Sequence, residues 1–201
     1  MKIKTFVVGP MQTNCYVLSD EETGEAIIID PGDEPEKIKK YLVQNKLKPE
    51  FIVNTHGHVD HIASDAEFKL PVYIHKLDLY NLRDPLKNLS SLVGGNVKPP
   101  SQIMPLEDKD IIGTKKIKLE VIHTPGHTPG GISLKFDKVV FSGDTLFYSG
   151  IGRTDFPGAS EARLIESIKN RLFVLADDTV IYPGHGPSST IGQEKRSNPF
   201  V

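Results

Sequence analysis

Tryptophan is absent from this 201-residue chain, and cysteine occurs once, at Cys15. A single thiol rules out an internal disulfide framework and suits a reducing compartment, so a cytoplasmic location is expected. No apolar run reaches the ~18 residues that a membrane-spanning helix needs. Charge of one sign is also scarce: 24 Lys and Arg stand against 26 Asp and Glu, a net of −2. So balanced a chain lacks the basic excess that draws proteins onto phosphate backbones, and no nucleic-acid partner is expected. The opening MKIKTFVVGPMQTNCYVL is broken by Gly9, Pro10, Gln12, Thr13 and Asn14. It is not expected to act as a secretory signal, whose core needs a longer unbroken run.

What is present is an ordinary globular composition, 38% hydrophobic and 25% charged, in a length that suits one domain. Strands are predicted at 3–8, 15–18, 26–29, 51–53, 71–74, 116–123, 131–136, 138–142 and 179–182, from short apolar runs bounded by turn residues. Residues 22–25 form a hairpin turn, closed by Asp30-Pro31-Gly32. Asp33 is placed as the N-cap of a helix over 34–46, in which Ile38, Tyr41 and Leu42 share a face. A second helix fits 160–174, with Leu164, Ile165, Ile168 and Leu172 on one side, and 76–83 also reads as helical. The least regular stretch is 84–108, crowded with Asn88, Ser90, Ser91, Gly94, Gly95, Pro99, Pro100 and Ser101. It is either a lid or a solvated excursion. A Gly/Pro-rich tail follows the last strand. Strands and helices alternate with hairpins among them, so the expected class is α/β with mixed sheets.

Seven histidines are the one mild excess, and their placement carries the chemistry. Thr55-His56-Gly57-His58-Val59-Asp60-His61 sets four potential metal ligands in six consecutive positions, directly after an apolar strand. Imidazole and carboxylate are donors that a borderline cation such as zinc accepts, and they also suit iron or manganese. In extended chain His56 and His58 face one side, while Asp60 and His61 begin a turn or helix nearby. Three further segments end an apolar run with a glycine-assisted turn: they present His127, Asp144 and His185. Four strand ends on one sheet edge would build a site from distant sequence.

With these motifs the chain resembles the metallo-β-lactamase superfamily of metal-dependent hydrolases, from near Met1 to the C-terminus. The resemblance implies a four-layer αββα sandwich with a two-metal site at one edge. By position it assigns His56, His58 and His127 to the first metal. It assigns Asp60, His61 and His185 to the second, with Asp144 bridging both. Asp60 and Asp144 would also serve catalysis. Two divalent ions, zinc foremost, can lower the pKa of a water held between them and polarise a carbonyl. No serine or cysteine nucleophile is then required, and Cys15 reads as a structural thiol. His75 and His123 are left with buried or hydrogen-bonding roles.

Ser149–Gly158 and Pro183–Phe200 resemble the short, bacterial-type glyoxalase II-like proteins of that superfamily. That likeness implies thioester hydrolysis of S-lactoylglutathione or another hydroxyacylglutathione. Arg153 lies where larger relatives set a basic residue against glutathione, and a salt bridge to Asp155 is its structural alternative. Asp155 and Pro187 replace an aromatic residue and a tyrosine of the larger enzymes. Residues 1–201 are expected to form a single catalytic domain without the helical domain those enzymes carry at the C-terminus. Other readings are a mononuclear-iron persulfide dioxygenase, which Gly152–Phe156 also resembles, a metal-dependent nuclease and a non-catalytic metal-binding scaffold.

Overall fold

The computed structural model describes residues 1–94 and 97–201. Its first sheet contains, in spatial order, β1 (Lys2–Val8), β2 (Thr13–Ser19), β3 (Glu25–Ile29), β4 (Lys48–Val53), β5 (Val72–His75) and β6 (Ile103–Leu106). The first three strands pair antiparallel, and β3 to β6 run parallel. The second sheet is built from β7 (Ile111–Gly113), β8 (Lys118–His123), β9 (Ile132–Phe136), β10 (Val139–Gly143), β13 (Val180–Pro183) and β14 (Ser189–Thr190), in the order β14-β13-β10-β9-β8-β7. Here β10 and β13 are parallel and the other neighbours antiparallel. A small hairpin of β11 (Leu146–Phe147) and β12 (Gly150–Ile151) stands beside it. Both large sheets are mixed, as the alternation of elements implied.

The period-2 alternation of the strands creates the layers. On β2 and β3, Tyr16, Leu18, Ile27 and Ile29 face the second sheet, where Leu119, Val121, Ile132, Leu134 and Phe141 meet them. The intervening Cys15, Val17, Ala26 and Ile28 face outward and are covered by Ile38 and Leu42 of helix α1 (Pro35–Gln44). Strands so buried on both sides read as continuous apolar runs. Beyond the second sheet, Val140 and Ile181 pack on Leu164, Ile168, Leu172 and Ile191. The result is a four-layer αββα sandwich.

Several boundaries differ from the sequence reading, each for a local reason. Asp33 is not the N-cap. Glu34 takes that place with φ 51, and the Asp33 carboxylate accepts from its N–H at 2.6 Å. Pro35 disfavours the right-handed helical region for the residue before it. The helix expected over 160–174 is α5 (Glu161–Ser167) followed by one π turn, Ile168–Leu172. Instead of a bare tail, β14 leads into α6 (Ile191–Ser197), capped by Thr190 Oγ1, which accepts from Gln193 N–H. Its buried side is only Ile191, Gly192 and Glu194, too short for a periodic signal. The 84–108 stretch is not structureless: it holds α4 (Ser90–Val93) and β6. Buried Asn88 anchors it, donating to Asn81 O at 2.7 Å and accepting from Val59 N–H at 2.8 Å. Gly95, counted among its turn residues, lies outside the described residues.

His75 and His123 stack on each other, centroids 4.1 Å apart with planes 12° from parallel. Burial, and then the neighbouring His123 and Lys76, push His75 down to about 4. Between that value and the ordinary 6.5, the unfolded chain takes up a proton that the folded chain refuses. Its contribution is therefore complete above pH 6.5 and is lost as pH falls towards 4. Allowing for partial solvent screening, about 2 kcal/mol of stability should disappear over that window. Denaturant titrations from pH 7 to 4 on the wild type and His75→Asn measure it. Equal pH slopes for the two proteins would refute the assignment.

Candidate metal centre

The candidate ligands sit where apolar strands stop. β4 ends at Val53 and delivers His56 and His58. Helix α2 (Val59–Ile62), followed by α3 (Asp65–Phe68), then turns Asp60 and His61 back towards them. His127 follows β8, Asp144 follows β10 and His185 follows β13. β10 and β13 are parallel neighbours, so their C-terminal ends emerge side by side. Gly126, at φ 145, lies where any Cβ would meet the Leu164 backbone at 2.4 Å. That close approach lets the His127 loop pass beneath α5.

All seven sequence-derived metal candidates converge. Potential ligand atoms of His56, His58 and His127 lie within 4.8 Å of one another, as do those of His56, His61 and Asp144 and those of Asp60, His61 and His185. Asp144 stands between the groups: Oδ1 is 3.4 Å from His61 Nε2, and Oδ2 is 3.5 Å from His127 Nε2 and 3.6 Å from His185 Nε2. His58 Nδ1 and His127 Nε2 face each other at 2.8 Å. Among the described residues, three inward-facing buried atoms, His56 Nε2, His61 Nε2 and Asp144 Oδ1, have no hydrogen-bond partner. Buried polar atoms are costly when unpaired, so a cluster of them around nitrogen and carboxylate donors fits a divalent cation.

The remaining faces of these side chains are held. His127 Nδ1 is 2.7 Å from Arg153 O, and His185 Nδ1 is 3.1 Å from Met11 O. His61 Nδ1 is 3.0 Å from Asp30 Oδ2, and Thr13 Oγ1 donates to Asp60 Oδ2 at 2.8 Å. Such partners fix ring orientation and tautomer. Charge follows the same pattern. Burial, and then the imidazoles of His127 and His61, push His58 down to about 3. Burial opposes a proton on His61 too, but Asp60, Asp144 and Asp30 outweigh it and raise His61 to about 10. Burial would raise Asp60, yet His61, His185 and Thr13 hold it well below the usual carboxylate range.

Sequence reasoning missed two supporting carboxylates. Asp30 accepts from Thr55 N–H at 2.7 Å and Thr55 Oγ1 at 2.6 Å besides orienting His61. It ends an apolar strand before Pro31-Gly32, the same signature that singled out Asp144. Asp78, buried within a 3-10 helix, ties two ligand loops together. It accepts from Gly57 N–H at 3.0 Å, between His56 and His58, and from Thr128 Oγ1 and Gly130 N–H at 2.7 Å, beside His127. Asp78→Ala leaves three donors unpaired and should cost about 3 kcal/mol of stability. It should also weaken metal affinity about 10-fold or more, read by chelator competition. Unchanged affinity would confine Asp78 to a role in stability.

Arg153 is exposed at the rim. Its guanidinium makes a bidentate pair with Asp155, Nε–Oδ1 at 3.0 Å and Nη2–Oδ2 at 2.7 Å, and lies 4.5 Å from the centroid of Phe156. The alternative of an Asp155 salt bridge is thus present beside the cavity. That cavity, of about 440 Å3, opens over the centre, lined by His58, His127, Asp144 and His185 together with Met11, Val59, Leu89, Leu92, Phe147 and Phe156. Cys15 is buried in the core away from it, and burial pushes its thiol up.

The sequence profile of the metallo-beta-lactamase superfamily matches residues 8–185, a span that contains every one of the converging side chains. The chain belongs to the metallo-beta-lactamase superfamily. Among its relatives in that superfamily are a probable metallo-hydrolase, YqgX, of Bacillus subtilis and the hydroxyacylglutathione hydrolase GloC of Haemophilus influenzae. They are 37% and 36% identical, each aligned over 100% of this chain and 98% of its own length. The crystal structure of the B3 metallo-beta-lactamase BLEG-1 superposes with a TM-score of 0.91 at 39% identity, covering 99% of both chains. That of TTHA1623 in a di-iron-bound form superposes with a TM-score of 0.86 at 37% identity, covering 98% of this chain and 100% of the other. Metallo-beta-lactamase superfamily proteins bind divalent metals, and this chain's His/Asp cluster is of the matching kind. Among the described residues, no helix is long and apolar enough to cross a membrane.

Proposed function

We propose that this protein is a metal-dependent hydrolase that cleaves a thioester, with S-lactoylglutathione or another hydroxyacylglutathione as substrate. The observation that carries the reading is the convergence of seven His and Asp side chains around three unpaired buried donor atoms, at the floor of an open cavity. His56, His58 and His127 would hold one divalent ion and Asp60, His61 and His185 a second, with Asp144 facing both. Zinc is the first choice by donor type, and iron or manganese also suits the set. When bound, such ions supply an activated water and a fixed positive charge against the reacting carbonyl.

The chain's own groups do the rest. The Thr13 hydroxyl fixes the Asp60 carboxylate beside the cavity floor, and Asp30 keeps the His61 ring aimed inward. Phe147 and Phe156 contribute apolar surface to the cavity lining. Arg153 stands at the mouth, where the thiol portion of a substrate would pass. The GloC relative supports the choice of a glutathione-derived thioester. Steady-state assays on S-lactoylglutathione beside other acyl thioesters, on protein of measured metal content, test it. Hydrolysis with two metals per chain is expected. Oxygen consumption with glutathione persulfide and one iron per chain would replace this reading with the dioxygenase. Silence on every thioester would leave a different hydrolase or a scaffold.

A further inference from the structure

A second apolar cavity of about 430 Å3 adjoins the first. The two share Met11, Val59, Asp60 and Val93 as a common wall, so they lie on either side of the Val59–Asp60 ridge. The metal-centre lobe also holds Arg153, whose guanidinium pairs with Asp155 at the rim and which is the one Lys or Arg side chain among the described residues lining either lobe. The second lobe is lined by Val8, Gly9, Pro10, Ala63 and neighbours, and its charged side chains are Asp33 and Asp60, both acids. Such a lobe repels carboxylates and attracts hydrocarbon.

We infer that this second lobe is an acyl-chain site, so that the preferred substrates are thioesters of longer, medium-length aliphatic acyl groups. The inference rests on the thioesterase reading. With the scissile carbonyl over the metal centre, a thioester sends two arms away in opposite directions. The arm bearing carboxylates goes to the lobe with Arg153. The uncharged acyl arm crosses Val59 into the acidic, apolar lobe. A three-carbon lactoyl group leaves most of a 430 Å3 space unfilled, and added methylenes there leave water for protein contact.

The test is a chain-length series on the metal-loaded enzyme: S-acetyl-, S-lactoyl-, S-butanoyl-, S-hexanoyl- and S-octanoylglutathione. Each methylene buried in an apolar pocket favours the longer substrate, so kcat/KM should rise about 10-fold or more from acetyl to hexanoyl. Ala63→Leu narrows the lobe and should bring the hexanoyl-to-acetyl ratio close to one. Its metal content and unfolding midpoint report that it has folded. A rise in the wild type that collapses in the variant supports the site. A flat or falling wild-type series overturns it while leaving thioester hydrolysis in place, and so does a rise that Ala63→Leu does not alter. Absence of turnover on all five esters overturns the thioesterase reading and the acyl site together.

Discussion

Asp144→Asn should lower kcat/KM by about 10³-fold and reduce the metal bound per chain, with little change in the fold. Asn preserves the volume of the side chain but removes one charge and one acceptor. Asp144 reaches towards both groups of candidate ligands, Oδ1 towards His61 and Oδ2 towards His127 and His185. Its buried Oδ1 has no hydrogen-bond partner among the described residues. A neutral amide would turn either an NH2 or a lone carbonyl towards a cation, and ligand loss and activity loss arrive together when the ligands are the catalyst. The magnitude matches the loss of a fixed electrostatic partner in a water-poor site. Metal analysis by mass spectrometry, circular dichroism and the thioester assay measure the three parts separately. A variant that keeps its full metal complement and a tenth of its activity would falsify the bridging placement.

The strand ends were the legible part of this molecule. Apolar runs at Phe51–Val53, Val121–Ile122, Val139–Phe141 and Val180–Ile181 announced β4, β8, β10 and β13, and the His or Asp following each lies in the centre. Buried strands declare themselves because both faces must be apolar. Asp30 obeys the same rule, yet its sequence context marks only the close of a hairpin, since its partners Thr55 and His61 lie 25 and 31 residues away. Asp78 gave no signal at all. A lone acid in a short helix looks solvated until Gly57, Thr128 and Gly130 are seen to point their donors at it. The second lobe was equally illegible, because its walls come from β1, the turn after β3 and the end of α2. Local pattern reports which face of an element is buried, and long-range partners decide what it is buried against.

Gly184→Ala should empty the site without unfolding the protein. A Cβ there would stand 2.1 Å from Asp144 Oδ1, 2.8 Å from His61 Cε1 and 3.1 Å from the Gly143 carbonyl carbon. Gly184 N–H donates to Gly143 O at 2.8 Å, and its own carbonyl accepts from Asn14 N–H at 2.7 Å, so the backbone is held on both sides and cannot retreat. The Asp144 carboxylate is the softer object and must rotate away, taking the shared position of the two ligand groups with it. Overpacking of this kind costs about 1–3 kcal/mol when a side chain gives way. The metal-free unfolding midpoint should therefore fall by only a few degrees. Metal affinity and kcat/KM should fall at least 100-fold, because displacing a reacting geometry by ~1 Å carries that penalty. Calorimetry of the metal-free protein beside metal titration separates the two effects. Wild-type metal affinity in Gly184→Ala would show that Asp144 is not pinned where the close approach of β10 and β13 puts it.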